Sequence, residues 1–375
     1  MSMLDENIND EMLDDIDEDL LPNKVKNESE ENNYPNVVIK IEREQFSIFE
    51  LNRRKEKGKI KLDPEFQRST VWKPHQEREL IESVIMGLPL QLIYTNSDEE
   101  GTHIIIDGKQ RLNTFFRFLN NDFKLKDLKI LKDLNGCYFR ELEPMYQSKI
   151  EDFQLFFQVI KPPTPDKILF DIFDRVNRGG TTLNNQEMRN ALYQGKSTKL
   201  LKELSENNYL KEMLGDNIQS RMKDRYLILR FLGFYIYFED KDFLVEGQKY
   251  EYNGDIDEFL GHIMKYLNKL DDERIEKLKI DFEQAIKTIY SLQNKDAFRL
   301  PTQSNKRNPV NMALFETIIY FTHLYLRENR KYYLEYIMTL IGDQEFLESL
   351  SRNRDNKTKV EKRFSKIKNL LGSNI

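Results

Sequence analysis

A single cysteine, Cys137, stands in a chain of 375 residues. It cannot close a disulfide within the chain, and the cysteine-stapled scaffolds of secreted proteins are excluded. Histidine is scarce too, with only His75, His103, His262 and His323. They are far apart, and none has the neighbouring His, Asn or Asp from which a nuclease metal site is built. No apolar run approaches the roughly 20 residues that span a bilayer. The N-terminus lacks the basic start and apolar core of a secretory leader. No membrane segment is expected, and a cytoplasmic location is.

Charge is plentiful but unevenly placed. Residues 1 to 21 hold nine acids and no Lys or Arg, and residues 22 to 33 add a further −1. Taking that −10 from the net charge of −6 leaves +4 from Tyr34 onward. The acidic head, residues 1–33, reads as a solvated, disordered tail, with screening of a basic surface as the alternative. The rest is mildly basic and, at 39% hydrophobic residues overall, rich enough in apolar side chains for one large domain or two ordinary ones.

The pattern predicts an α+β chain. A first strand is expected at "VVIKIE" (37–42). A helix follows Pro74, with Leu80, Ile81, Val84 and Ile85 at helical spacing and Gly87 ending it. "LQLIYT" (90–95) and "HIIID" (103–107) read as strands. Beyond Gly108, Leu112, Phe115, Phe116 and Leu119 form a helical stripe. "FQLFFQVI" (153–160) reads as a buried strand. The next stretch reads as helix, Gly-Gly loop, helix, with Asn184 and Glu187 at capping-box spacing. From about residue 197 the pattern is helical almost throughout. A mixed α/β N-terminal domain over 34–195 and an all-helical domain with a basic C-terminus over 196–375 are therefore expected.

The junction "IIIDGKQRL" carries the chemistry. The first turn of a helix exposes N–H groups without intrahelical partners, and the helix dipole adds about half a positive charge there. Gly108 lets the backbone turn sharply, and Lys109 and Arg111 add cations. Asp107 beside an anion makes sense with a divalent cation between them, which points to magnesium. Gln110 is placed to orient a water. A plainer alternative stays open: Asp107 caps the helix, and the two cations form its solvated face.

Two further stretches bear on that choice. "PEFQRSTVW" (64–72) places Gln67 and Arg68 in an irregular segment, with Trp72 as an anchor or a stacking surface. "FDRVNRGGTTL" (173–183) sets Arg175, Asn177 and Arg178 beside Gly179 and Gly180, whose backbones can aim several N–H groups at one anion. Together with "IIIDGKQRLNT" and "FDRVNRGGTTLNNQEMRNA", and in this order, these motifs resemble the N-terminal domain family of GmrSD-type restriction systems, over about residues 37–195. Lys109 stands where the family's pattern more often has Gln.

That family is similar in turn to the ParB and sulfiredoxin nucleotide-binding fold. The resemblance implies binding of a nucleoside triphosphate with Mg2+, and hydrolysis of it, at Asp107, Gly108, Lys109, Gln110 and Arg111. Asp107 would be the metal ligand, and Gln67, Arg68, Arg175, Asn177, Arg178, Gly179 and Gly180 would complete the site. It also implies DNA as a partner. Longer members carry an HNH nuclease domain, which the histidine pattern does not support here, so cutting would fall to a separate nuclease subunit or to a weak intrinsic activity. The alternative is a non-catalytic DNA-binding or interaction module with a vestigial pocket. Oligomeric state is left open. "SRNRDNKTKVEKRFSKIK" (351–368), with eight Lys or Arg against two acids, is a candidate contact for phosphate backbone.

Overall fold

The computed structural model describes residues 39–62, 72–98, 100–177, 183–301, 307–351 and 353–372. The chain falls into two compact units that part between Leu183 and Asn184.

In the first unit, β1 (Ile41–Ser47) is followed at once by α1 (Ile48–Glu56), and the Ser47 hydroxyl caps that helix by accepting from the Glu50 N–H at 3.1 Å. The strand expected over 37–42 thus starts at Ile41 and runs further, because its length is fixed by antiparallel pairing with β5 from Ile41↔Ile160 to Ser47↔Gln154. β2 (Ile60–Lys61) leads towards α2 (Pro74–Ile85), which starts on its proline and buries Leu80, Ile81, Val84 and Ile85, as their spacing requires. β3 (Ile93–Ser97) begins later than the expected residue 90. β4 (His103–Asp107) and α3 (Lys109–Leu119) stand as read from the sequence. α4 (Pro144–Glu151), β5 (Gln154–Ile160) and α5 (Asp166–Asn177) complete the unit.

The five strands form one mixed sheet in the order β1-β5-β3-β4-β2. Period-two alternation gives the sheet two unlike faces. Phe46, Ile93, Ile105, Leu155, Phe157 and Val159 meet Leu112, Phe115 and Phe116 of α3 and Ile81 and Val84 of α2 in a single core. On the other face α5, with Ile168, Leu169 and Phe173 buried, packs against β4. The β1 and β5 end of that second face stays open, and Ile41 and Phe156 are exposed there.

The second unit is helical, as expected of the C-terminal half: α6 (Asn185–Leu192), α7 (Lys196–Ser205), α8 (Asn208–Leu214), α9 (Lys223–Glu239), α10 (Ile256–Lys269), α11 (Asp272–Gln293), α12 (Met312–Arg327), α13 (Tyr333–Gly342), α14 (Gln344–Ser349) and α15 (Lys357–Leu371). A two-strand hairpin, β6 (Leu244–Val245) and β7 (Gln248–Lys249), interrupts it. α6 packs with these helices: Arg189 meets Asp257 of α10 at 2.7 Å, and the Asn184 amide donates to the Arg221 carbonyl at 2.8 Å. The capping box is present in full, with Asn184 and Glu187 each accepting the other's N–H at 2.8 Å.

Three cations of the basic run at the C-terminus are engaged inside the unit. Arg363 is fully buried against Glu316, and Lys366 reaches Asp343 at 2.7 Å and Glu345 at 2.8 Å. Lys368 meets Glu239 at 3.0 Å. The charges of these three are met by acids from α9, α12 and the α13–α14 region, which no local count of charge includes.

Candidate functional site

β4 delivers the chain to the junction with three consecutive isoleucines, all buried. The β3–β4 register shifts between Tyr94 and Thr95, so that Tyr94 pairs with Asp107 instead of the next residue in sequence. Such irregularities end a ladder and re-aim side chains, and they recur beside functional sites. Gly108 follows at φ 94°, ψ 8°, as the N-cap of α3, and no side chain caps that helix. A Cβ at Gly108 would stand 2.9 Å from Ile93 Cγ1 and 3.2 Å from Arg111 Nη2. Glycine is therefore required twice over, by its left-handed backbone and by the closeness of β3.

Lys109 and Gln110 are half-buried in the first turn of α3, and neither is without a partner. Arg111 has another role than the open cation expected of it. It is 8% exposed, and its Nη2 donates to Asp107 Oδ2 at 2.8 Å and to the Leu92 carbonyl at 3.1 Å, while Nη1 donates to the Gln91 carbonyl. These two carbonyls precede β3, which is why the strand starts late: their acceptors go to the guanidinium. Burial draws the Arg111 pKa below its ordinary value, with the Asp107 carboxylate working against that change. Arg111 thus positions the junction by tying the end of β4 to the entry of β3.

The remaining expected residues are only partly placed. Arg175 is exposed in the last turn of α5, the helix that packs on β4. Asn177 ends that helix, and Trp72 is half-buried against the core, which is the anchoring alternative for it. Gln67, Arg68, Arg178, Gly179 and Gly180 lie outside the described residues. Tyr94 was passed over in the sequence. Nothing local marks it, because its place opposite Asp107 depends on a register shift.

The site can be tested against the groups expected in it. A phosphate suits the start of α3, where a glycine N-cap brings no side-chain acceptor to the first-turn N–H groups. Magnesium suits it poorly. Asp107 is the carboxylate at the junction, one of its oxygens already accepts from Arg111, and among the described residues no group of three or more His, Cys, Asp or Glu could hold a metal ion. His103 is buried, with Nδ1 3.3 Å from the Thr95 hydroxyl and Nε2 3.7 Å from Glu44, and burial lowers its pKa. It belongs to the sheet's packing, with its ring edge-on to Phe46 and Phe157. Among the described residues no helix is long and apolar enough to cross a membrane.

Comparison with known proteins agrees with these motifs. No curated protein and no solved structure matches the chain. The family model for the GmrSD restriction endonuclease N-terminal domain matches residues 47–194, a span that runs from the end of β1 through the Gly108 junction to α6. Residues 47–194 of this chain belong to the GmrSD restriction endonuclease N-terminal domain family.

Proposed function

We propose that the chain is a cytoplasmic component of a restriction-type defence system, in which a nucleoside triphosphate bound at the start of α3 governs engagement of DNA. The observation that carries the reading is the Gly108 N-cap: a left-handed glycine at the end of a buried strand, opening an amphipathic helix without a side-chain cap. Helix N-termini of this kind favour phosphate through their N–H groups and dipole. Lys109 adds a cation in the same turn, and the membership of residues 47–194 in a restriction-endonuclease domain family supports DNA as the target.

Binding is better supported than hydrolysis. Hydrolysis with magnesium would use Asp107 and a water oriented by Gln110, yet the Asp107 charge is already offset by Arg111. That pair favours a second reading, a non-catalytic module whose helix start takes a DNA phosphate directly. On either reading, cleavage of DNA would fall to a separate nuclease subunit or to a weak intrinsic activity.

Titrating the full chain with fluorescent ATP and GTP analogues, with and without Mg2+, tests the first reading. Saturable binding that is lost in Lys109→Ala is expected. DNA affinity measured with and without each nucleotide separates the two. A nucleotide-dependent change supports the regulated component, whereas affinity that falls with salt and ignores nucleotide supports the module.

A further inference from the structure

The open end of the sheet carries a row of side chains with a chemistry of its own. Register places Arg43 of β1 opposite Gln158 of β5, Gln158 beside Tyr94 of β3, and Tyr94 opposite Asp107 of β4. At strand spacing this row is about 14 Å wide. In the adjoining row Gln45 pairs with Phe156. Phe156 is 53% exposed, although it lies in an interior strand of the sheet, and Arg43 and Gln45 are exposed beside it.

The charges of this end of the sheet are sorted by sign. Glu42 meets Lys40 at 3.0 Å, and Glu44 meets Lys161 at 2.6 Å, so both acids of β1 are neutralised on the strand's other side. Arg43 has no ion-pair partner among the described residues. Among the described residues of β1, β5 and β3, the exposed face therefore presents one cation, aromatic rings, amides and the aliphatic Ile41, and no acid until Asp107, which Arg111 holds. A protein partner buried on so small a face would leave the Arg43 charge and two glutamine amides to be matched individually. Unpaired bases match them without special fitting: every base has a face to stack on an aromatic ring, edges that pair with amides, and a phosphate for the guanidinium. Exposed sheets with surface aromatics accept two or three bases in this way.

We propose that this face, built on Phe156, Tyr94, Arg43, Gln45 and Gln158, is a docking platform for single-stranded DNA. The choice of DNA rests on the restriction-type reading above, whereas the preference for an unpaired strand rests on the face itself. The strand would cross from β1 towards the Gly108 junction, which would place its backbone near the site proposed for nucleotide phosphates.

The experiment is fluorescence anisotropy on the full chain with labelled oligo(dT), a duplex of the same length and oligo(U). Oligo(dT) is expected to bind more tightly than the duplex or oligo(U). Phe156→Ala should weaken it by roughly 5- to 100-fold, the usual effect of losing one stacked base. Phe156→Trp should retain binding, and Arg43→Ala should lower the salt slope by about one. Phe49→Ala removes a ring of similar exposure, 57%, from α1 rather than from the sheet, and should change nothing. Stronger binding of the duplex or of oligo(U) overturns the proposal, as does a Phe156→Ala variant that melts and binds like wild type. Nucleotide binding is read separately through Lys109→Ala. Loss of the nucleotide reading with oligo(dT) binding intact leaves the platform standing, and the reverse result removes the platform alone.

Discussion

The Arg111 guanidinium donates to the Asp107 carboxylate at 2.8 Å, one helical turn back along the chain, while it also holds the carbonyls of Gln91 and Leu92. Three segments converge on one side chain: the end of β4, the first turn of α3 and the loop entering β3. The guanidinium also packs against Gly108, since Arg111 Nη2 lies 3.2 Å from where a Gly108 Cβ would stand.

Replacing Arg111 by Ala is therefore expected to act on stability first. Two carbonyls lose a charged donor and Asp107 loses its counter-ion, although water can reach the carboxylate. A cost of about 2–3 kcal/mol follows, read as a fall in the urea midpoint with an unchanged slope. Arg111→Lys should restore only part of it, because an ammonium cannot serve three acceptors with the fixed fork of a guanidinium. If Arg111→Ala lost nucleotide binding at wild-type stability, the residue would be a ligand after all.

What could be read from the sequence was what is local. Pro74 starting α2, the Leu112–Phe115–Phe116 stripe of α3 and the Asn184–Glu187 box each depend on residues within one or two turns, and each stands in the structure as read. The junction itself was legible for the same reason, as Asp107-Gly108 separates two periodicities. The destination of Arg111 was not, because its partners Gln91 and Leu92 lie 20 and 19 residues away. Nor was the open face of the sheet: β5 takes its place between β1 and β3, and only that order brings Arg43, Gln158 and Tyr94 into one row. α1 went unread because its nine residues are largely polar and only Ile48 and Leu51 are buried.

Asp224, in the first turn of α9, is buried, and burial raises its pKa from 3.8 to about 6. An acid whose pKa is raised on folding holds its proton in the native state while the unfolded chain has already lost it. Stability is therefore greatest below about pH 4, falls as pH rises from there to about 6, and is level above that, a loss on the order of 3 kcal/mol from this group. Asp224→Asn should raise the unfolding midpoint at pH 7 and leave it nearly unchanged at pH 4. Midpoints that move equally at both values would show that the carboxylate is not carrying the pH dependence.

Glu316 on α12 accepts from Arg230 Nε at 3.0 Å and from Arg363 Nη2, and all three side chains are fully buried. Arg230 also donates to Asp355 at 2.6 Å, and despite burial that guanidinium holds the Asp355 carboxyl far below its ordinary range. The group gathers Arg230, Arg363, Glu316 and Asp355, with buried Arg354 also acting on the Asp355 carboxylate, and it joins α9, α12 and α15. Removing one anion leaves a guanidinium unmatched out of water, so Glu316→Gln should cost about 3–5 kcal/mol, seen as a lowered thermal midpoint. Lys366→Ala, by contrast, removes a half-buried cation from a surface cluster with Asp343 and Glu345, and should cost no more than about 1 kcal/mol. It should also leave the salt dependence of DNA binding unchanged, because that charge is already matched within the protein. A salt slope reduced by about one in Lys366→Ala would instead place α15 on the DNA backbone, where its sequence alone had put it.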